Sequence, residues 1–322
     1  IGLSAIQLLP TLDLYQNSIR NFENYSAGMN HGLIPWTQLI RVWVADFYGN
    51  PVTGNYSHYQ SYHETSLYLG ILVVPLILPF FLIGRKAVTS EIFDGQRYVN
   101  ETSDDEKIRI NKFKLINWWL FVWVISIFLV IDNPISSFFY HQQFHLLNNS
   151  FASRLLFVTN LASSILCGLG LNELITNRQF RMKSKWVSIA VIILTIIVYW
   201  YVGQMWKAEQ YKIAFKNGLI PLGLLIFYAF LLAIKFVNGK VIGLIILVIV
   251  SGTQLSYFWK YNPFTDVKLM FPSTASIEFL RKDKTPFRIA RVRNPLLPPN
   301  TWGYYGIESV EGYNPLHLLN YS

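Results

Sequence analysis

The chain has 322 residues, 52% hydrophobic, 16% aromatic and only 14% charged, with 27 Lys and Arg against 18 Asp and Glu for a net charge of +9. Low charge and high hydrophobicity exclude a disordered chain, and a single cysteine, Cys167, excludes a disulfide scaffold. A mean hydropathy of +0.31, with charge far below the roughly 25% of soluble proteins, points to a membrane protein, whose basic excess collects in cytoplasmic loops and need not signal nucleic acid.

The chain opens in an apolar run, 1–14, without Met, a charged leader or a cleavage site. The expectation is an internal fragment of a longer chain, with this run as the outer end of a spanning helix. A span needs about 20 mostly apolar residues. Six further windows approach or reach that: 66–84, 115–131, 155–175, 186–206, 219–237 and 241–259. The window 155–175 is the least apolar, with Asn160, Ser163, Ser164 and Asn172. It is therefore expected inside the bundle, where small and polar residues suit helix contacts.

Basic residues set the direction. Loop 85–114 carries Arg85, Lys86, Arg97, Lys107, Arg109, Lys112 and Lys114; the link 176–185 carries Arg178, Arg181, Lys183 and Lys185; Lys235 and Lys240 flank the last connection. These alternate correctly to lie in the cytoplasm. Loops 17–65, 132–153 and 207–218, and the tail 260–322, then face outside. Lys207, Lys212 and Lys216 go mildly against the rule.

In the first outer loop, Pro35 suits a helix's first turn. Trp36, Leu39, Ile40, Trp43, Val44 and Phe47 follow at helical spacing, with Gln38, Arg41 and Ala45 off the stripe. This predicts a short helix over 35–47 lying in the membrane interface. Asp46 opens a turn through Gly49, Asn50 and Pro51, and His63 and Glu64 lead into the next span. Imidazole and carboxylate at a bundle mouth suit proton transfer, or a divalent cation held together with Asp46. His63-Glu64 lacks the spacing of a zinc helix, since residue 67 is Leu. Helix capping and interface hydrogen bonds account for the same residues without chemistry.

The second outer loop holds His141 and His145, four apart with no third ligand nearby, and ends at Arg154. A guanidinium there suits bidentate phosphate binding or snorkelling to a lipid headgroup. No Walker loop or dinucleotide fingerprint is present, so nucleotide chemistry is not expected. The tail is proline-rich: Ser273 or Thr274 caps a predicted short helix through Ile277 to Arg281, residues 287–292 alternate like a strand, and 311–315 reads as a turn.

The whole reads as an α-helical polytopic membrane protein of about six to seven spanning helices. Residues 1–259 form the membrane domain, and 260–322 the start of an extracytoplasmic mixed α/β segment.

Several stretches together resemble one family: Ala5-Ile-Gln-Leu-Leu-Pro-Thr-Leu-Asp-Leu-Tyr15, Asp46-Phe-Tyr-Gly-Asn-Pro51, His63-Glu-Thr-Ser-Leu-Tyr-Leu-Gly70, Ser153-Arg-Leu-Leu-Phe157 with Gly168-Leu-Gly-Leu171, Leu297-Pro-Pro-Asn300, and Ser309-Val-Glu-Gly-Tyr-Asn-Pro-Leu316. Their order and spacing resemble the bacterial YfhO membrane protein family, placed among the GT-C type glycosyltransferases. The resemblance implies transfer of a sugar from a polyprenyl-phosphate donor to a cell-surface polymer such as teichoic or lipoteichoic acid, at the outer face of the bacterial membrane. It also implies that a carboxylate acts as general base, in a first outer loop outside this chain. Location and chemistry make Arg41, Asp46, His63, Glu64 and Arg154 the candidate substrate-binding residues, next to membrane lipids. The rival readings are a transporter or lipid flippase, which would keep ionisable or broken-helix elements near the midplane, and a non-catalytic envelope-assembly scaffold.

Overall fold

The computed structural model describes residues 2–18, 32–57, 62–83, 103–141, 151–234, 237–262, 264–290, 297 and 300–310. It divides into two compact units, Ile1–Gly28 with Pro263–Ser322, and Met29–Asn262. Most of the cytoplasmic loop predicted at 85–114, His145 and the turn at 311–315 fall outside the described residues.

The larger unit is helical. After the loop come two short helices, α2 (Val73–Ile77) and α3 (Pro79–Leu82), then α4 (Ser103–Val130), α5 (Pro134–His141), α6 (Leu156–Thr176), α7 (Arg178–Met205), α8 (Ala208–Ala233) and α9 (Gly239–Tyr261). Among the described residues, five helices are long and apolar enough to cross a membrane: the 111–130 part of α4, α6 with its 3₁₀ lead-in from Ala152, α7, α8 and α9. Large apolar side chains face outward on each, such as Phe121, Phe157, Ile193, Trp200, Ile220, Phe230, Leu244 and Leu255. A water-facing bundle does not present such surfaces; a lipid-facing one does. The chain is a helical membrane protein.

Short links join α6–α9 in sequence, and asparagines cap the starts of α7 and α9. Asn177 joins α6 to α7 and caps α7, its side chain accepting from the Phe180 N–H at 2.9 Å. Arg181, one turn in, donates to the Leu174 and Ile175 carbonyls at the end of α6 (3.2 Å each). Asn238 caps α9 in the same way. The basic residues Arg178, Arg181, Lys183 and Lys185 therefore sit in the first two turns of α7 rather than in a loop. Lys112 of α4 closes on the buried Glu173 of α6 at 2.5 Å.

Three expectations are corrected. Window 66–84 is not a continuous span. Residues 66–70 are non-helical, Gly70 has φ +120°, and the helical part, Val73–Leu82, is about 15 Å long at 1.5 Å per residue, half of the ~30 Å hydrocarbon core. Proline is the cause. Pro79 lacks the N–H that the Pro75 carbonyl would accept from, and the Ser184 hydroxyl of α7 donates to that carbonyl instead, at 2.7 Å. Above the break, the Leu69 and Gly70 N–H groups donate to the Val42 carbonyl (3.2 Å each), and the Leu69 carbonyl accepts from Gln254 of α9 at 3.1 Å. The non-helical backbone is held here because neighbouring segments satisfy its polar groups.

Segment 35–47 is not an interfacial amphipathic helix. Trp36–Val42 is a 3₁₀ helix, followed by turns. Trp36 is exposed, but Ile40, Val42, Trp43, Val44 and Phe47 are buried, and so are Gln38 and Arg41, which were expected on the polar face. The segment enters the bundle instead: the Trp43 indole donates to Thr195 of α7 at 3.0 Å, and Phe47 packs on Tyr199 and Trp206. Nor is 207–218 a loop. It forms the first turns of α8, held to α7 where the Tyr199 hydroxyl donates to the Ala214 carbonyl at 2.9 Å.

In the smaller unit, α1 (Gly2–Gln16) precedes the loop. After Asn262, Thr274 caps α10 (Ala275–Lys282), accepting from the Ile277 N–H at 3.4 Å. Two-residue strands β1 (Arg288–Ile289) and β2 (Glu308–Ser309) pair in parallel. Ile277, Trp302, Tyr305 and Ile307 form a small core with Leu280, Phe287, Ile289 and Leu297.

Candidate functional site

The first loop folds back through the turn at 62–65, and this turn collects the predicted residues. Tyr62 reaches Asp46, Glu64 reaches Arg154, and Thr65 reaches Arg41. His63 lies between them, exposed.

Asp46 sits where loop, α8 and α9 meet. One carboxylate oxygen accepts from the Tyr62 hydroxyl (2.7 Å) and the Asn50 amide (2.9 Å). The other accepts from Lys260 of α9 at 2.5 Å. Its backbone carbonyl accepts from Asn217 of α8 at 2.7 Å. Asn50 is placed by the tight turn that the sequence announced: its side chain accepts from the Val52 N–H, and Gly49 and Gly54 adopt φ +87° and +66°. Burial, with the Tyr257 hydroxyl and the Asp46 carboxylate as lesser causes, pushes the Tyr62 phenol above its ordinary pKa. Tyr62 therefore stays an O–H donor to Asp46. Its ring stacks on Tyr261, and the Tyr257 hydroxyl lies 2.8 Å from that of Ser66.

Arg41 is 1% exposed. Its guanidinium donates to the Thr65 carbonyl (3.0 Å) and hydroxyl (3.3 Å), the Gln38 amide oxygen (3.2 Å) and the Ala45 carbonyl (3.3 Å), and lies 4.8 Å from the centre of the Tyr62 ring. Among the described residues these acceptors are all neutral, and no carboxylate forms an ion pair with it. Among the described residues, the Nε2 of the fully buried Gln38 has no hydrogen-bond partner. Among the described residues, Arg41, Asp46 and Lys260 together carry one net positive charge around Tyr62. In a low-dielectric bundle that charge attracts anions.

Arg154 and Glu64 form the outward-facing pair, 3.6 Å apart, with side chains 60% and 27% exposed. Arg154 also lies over the Phe151 ring at 5.5 Å. The two acids have divided environments. Both oxygens of Asp46 are engaged, whereas among the described residues Glu64 holds one long contact.

The expected cation site at Asp46, His63 and Glu64 is not assembled, because Asp46 is turned to Lys260 and Glu64 to Arg154. Among the described residues no three His, Cys, Asp or Glu side chains come together. The sequence reading missed Lys260, Tyr257, Tyr261, Asn50, Gln38 and Asn217. One signal was available: Tyr257, Lys260 and Tyr261 share a face of α9 at i, i+3 and i+4. No family model matches this chain, and no curated protein or solved structure matches it.

Proposed function

We propose that the chain works in a GT-C type membrane glycosyltransferase. A sugar passes from a polyprenyl-phosphate donor to a cell-surface polymer such as teichoic or lipoteichoic acid, at the outer face of the bacterial cell membrane. The observation that supports this reading is the turn at 62–65. It joins the outward-facing Arg154–Glu64 pair to a part-buried network that, among the described residues, carries net positive charge, at the end of the bundle where the first loop enters. Arg154 would bind the donor phosphate, with the charge of Arg41 and Lys260 behind it, stabilising the negative charge that develops as the sugar–phosphate bond breaks. Glu64 would accept a hydrogen bond from the sugar or the acceptor hydroxyl. Asp46 would hold the loop in place. In this reading loop 17–65 and the small α/β unit after α9 lie outside the cell.

The test deletes the full-length gene in its host and complements it with wild type, Glu64→Gln or Arg154→Gln. Sugars on purified envelope polymers are then measured. Sugar lost on deletion and restored by wild type alone supports transfer with both residues in the site. Restoration by all three returns Glu64 and Arg154 to a structural role. Sugars unchanged on deletion, with no redundant homologue expressed, overturn the reading. A lipid flippase or transporter is the second reading, favoured by the interrupted segment 66–83, since such half-helices line transport sites. It requires an altered lipid distribution with transfer intact.

A further inference from the structure

A groove of about 440 Å³ runs between α6, α9 and the half-helix. Its lining changes character along its length. At the end nearer the first loop stand Asn160, Ser163 and Ser164 of α6, Gln254 of α9, and Tyr68; at the other stand Leu171, Ile246, Leu247, Leu72 and Leu76. From Asn160 to Leu171, and from Gln254 to Ile246, the helices rise about 12–16 Å at 1.5 Å per residue. That is one leaflet of a hydrocarbon core about 30 Å thick.

The groove opens sideways, because Asn160, Ser164 and Gly168 of α6 and Leu247 of α9 are exposed on outward faces. Among the described residues, no charged side chain lines it. Its polar end offers two amides: among the described residues, Asn160 and Gln254 each spend one N–H on a backbone carbonyl and keep the amide oxygen and a second N–H, whereas the Ser164 hydroxyl donates to the Asn160 carbonyl at 2.9 Å.

We propose that this groove holds one acyl chain of a glycerolipid from the leaflet on the first-loop side, with its ester group between the amides of Asn160 and Gln254. Three observations select this occupant. The apolar length fits one leaflet, which a long polyprenyl chain outruns. The neutral hydrogen-bonding end suits an ester and offers a phosphate no cation. The open side gives a bilayer lipid direct access. The groove takes such a chain whether or not the loop site transfers a sugar.

Gly168 supplies the test, because a Cβ built there meets nothing within 4 Å. Gly168→Phe should fill the groove without pressing on the backbone. The full-length protein is purified in mild detergent, and its retained lipid is extracted and quantified by mass spectrometry. Wild type should carry near-stoichiometric glycerolipid, and Gly168→Phe should lose most of it. In parallel, Cys167, which lines the groove, is labelled with N-ethylmaleimide. Its labelling should rise on delipidation and fall again on adding dioleoyl phosphatidylglycerol. Equal glycerolipid in both proteins, polyprenyl phosphate as the retained lipid, or Cys167 labelling indifferent to phosphatidylglycerol each overturns the proposal. If Gly168→Phe does not fold, Cys167 protection in wild type decides alone.

Discussion

Lys260 and Arg41 bring two positive charges to the same tyrosine, but they are held differently. Lys260 has a carboxylate partner and is 37% exposed at its side chain, against 11% for Asp46. Lys260→Met would leave Asp46 with two neutral donors and no counter-charge. Breaking a fully buried pair costs about 3–5 kcal/mol; solvent at Lys260 lowers this to about 1–3 kcal/mol. Thermal unfolding in detergent measures it, and adding Asp46→Asn should recover part of the loss, as coupled neighbours do. Arg41 depends on a planar fork against four oxygens and a ring. Arg41→Lys should cost about 1–3 kcal/mol, since an ammonium cannot reproduce that geometry. Tyr62 adds a pH dependence. Its pKa is raised in the folded state, so its contribution is complete below about pH 10, the unfolded phenol value, and is lost as pH rises beyond that. The stability gap between wild type and Tyr62→Phe should therefore narrow at alkaline pH; a constant gap from pH 8 to 11 would refute the assignment. The sequence reading found Arg41 and Asp46 by residue type and position. It could not see that Arg41 is buried, because helical spacing placed it off the apolar stripe, and the 3₁₀ path turns it inward.

The half-helix shows how far hydropathy reaches at the level of elements. The five long helices were legible because each keeps a high mean hydropathy over a sufficient length, even where Asn160, Ser163, Ser164 and Asn172 interrupt it in α6. Window 66–84 is equally apolar, but a hydropathy window does not register the N–H groups missing at Pro75 and Pro79, nor the bond that Ser184 supplies to the Pro75 carbonyl and the one that Gln254 gives to the non-helical Leu69. Close contacts around this element make sharp tests. A Cβ at Gly170 of α6 would stand 2.3 Å from the Leu76 carbonyl oxygen, inside contact distance. Gly170→Ala should therefore destabilise by about 1–3 kcal/mol, as overpacking does. Gly168→Ala, two residues away with open space, should stay within about 0.5 kcal/mol. Measuring the two side by side removes helix propensity from the comparison. If both behave alike, the half-helix does not pack against α6 as described.

For the whole molecule, orientation is the largest consequence of the charge pattern. In a background with Cys167→Ala, a cysteine at Ser57 should react with an impermeant thiol reagent added outside intact cells. A cysteine at Gln179, among the basic residues that open α7, should react only after permeabilisation. The opposite pattern would reverse the loop assignment and remove the outer-face reading with it. The sequence placed these loops on alternate sides through charge alone. It gave no means of seeing that the first loop enters the bundle, because the contacts that hold it come from residues far along the chain.

Those separations set an order of assembly. Asp46 meets Lys260 across 214 positions and Asn217 across 171, and Trp43 meets Thr195 across 152. At ribosomal rates of about 5–20 residues per second, the segment carrying Arg41 and Asp46 waits about 10–40 s after synthesis before Lys260 emerges. During that interval its buried cation has no bundle to enter. The segment around Arg41 and Asp46 is therefore completed by α9, and a nascent chain stopped before α9 should keep that segment open to proteases that the finished protein resists.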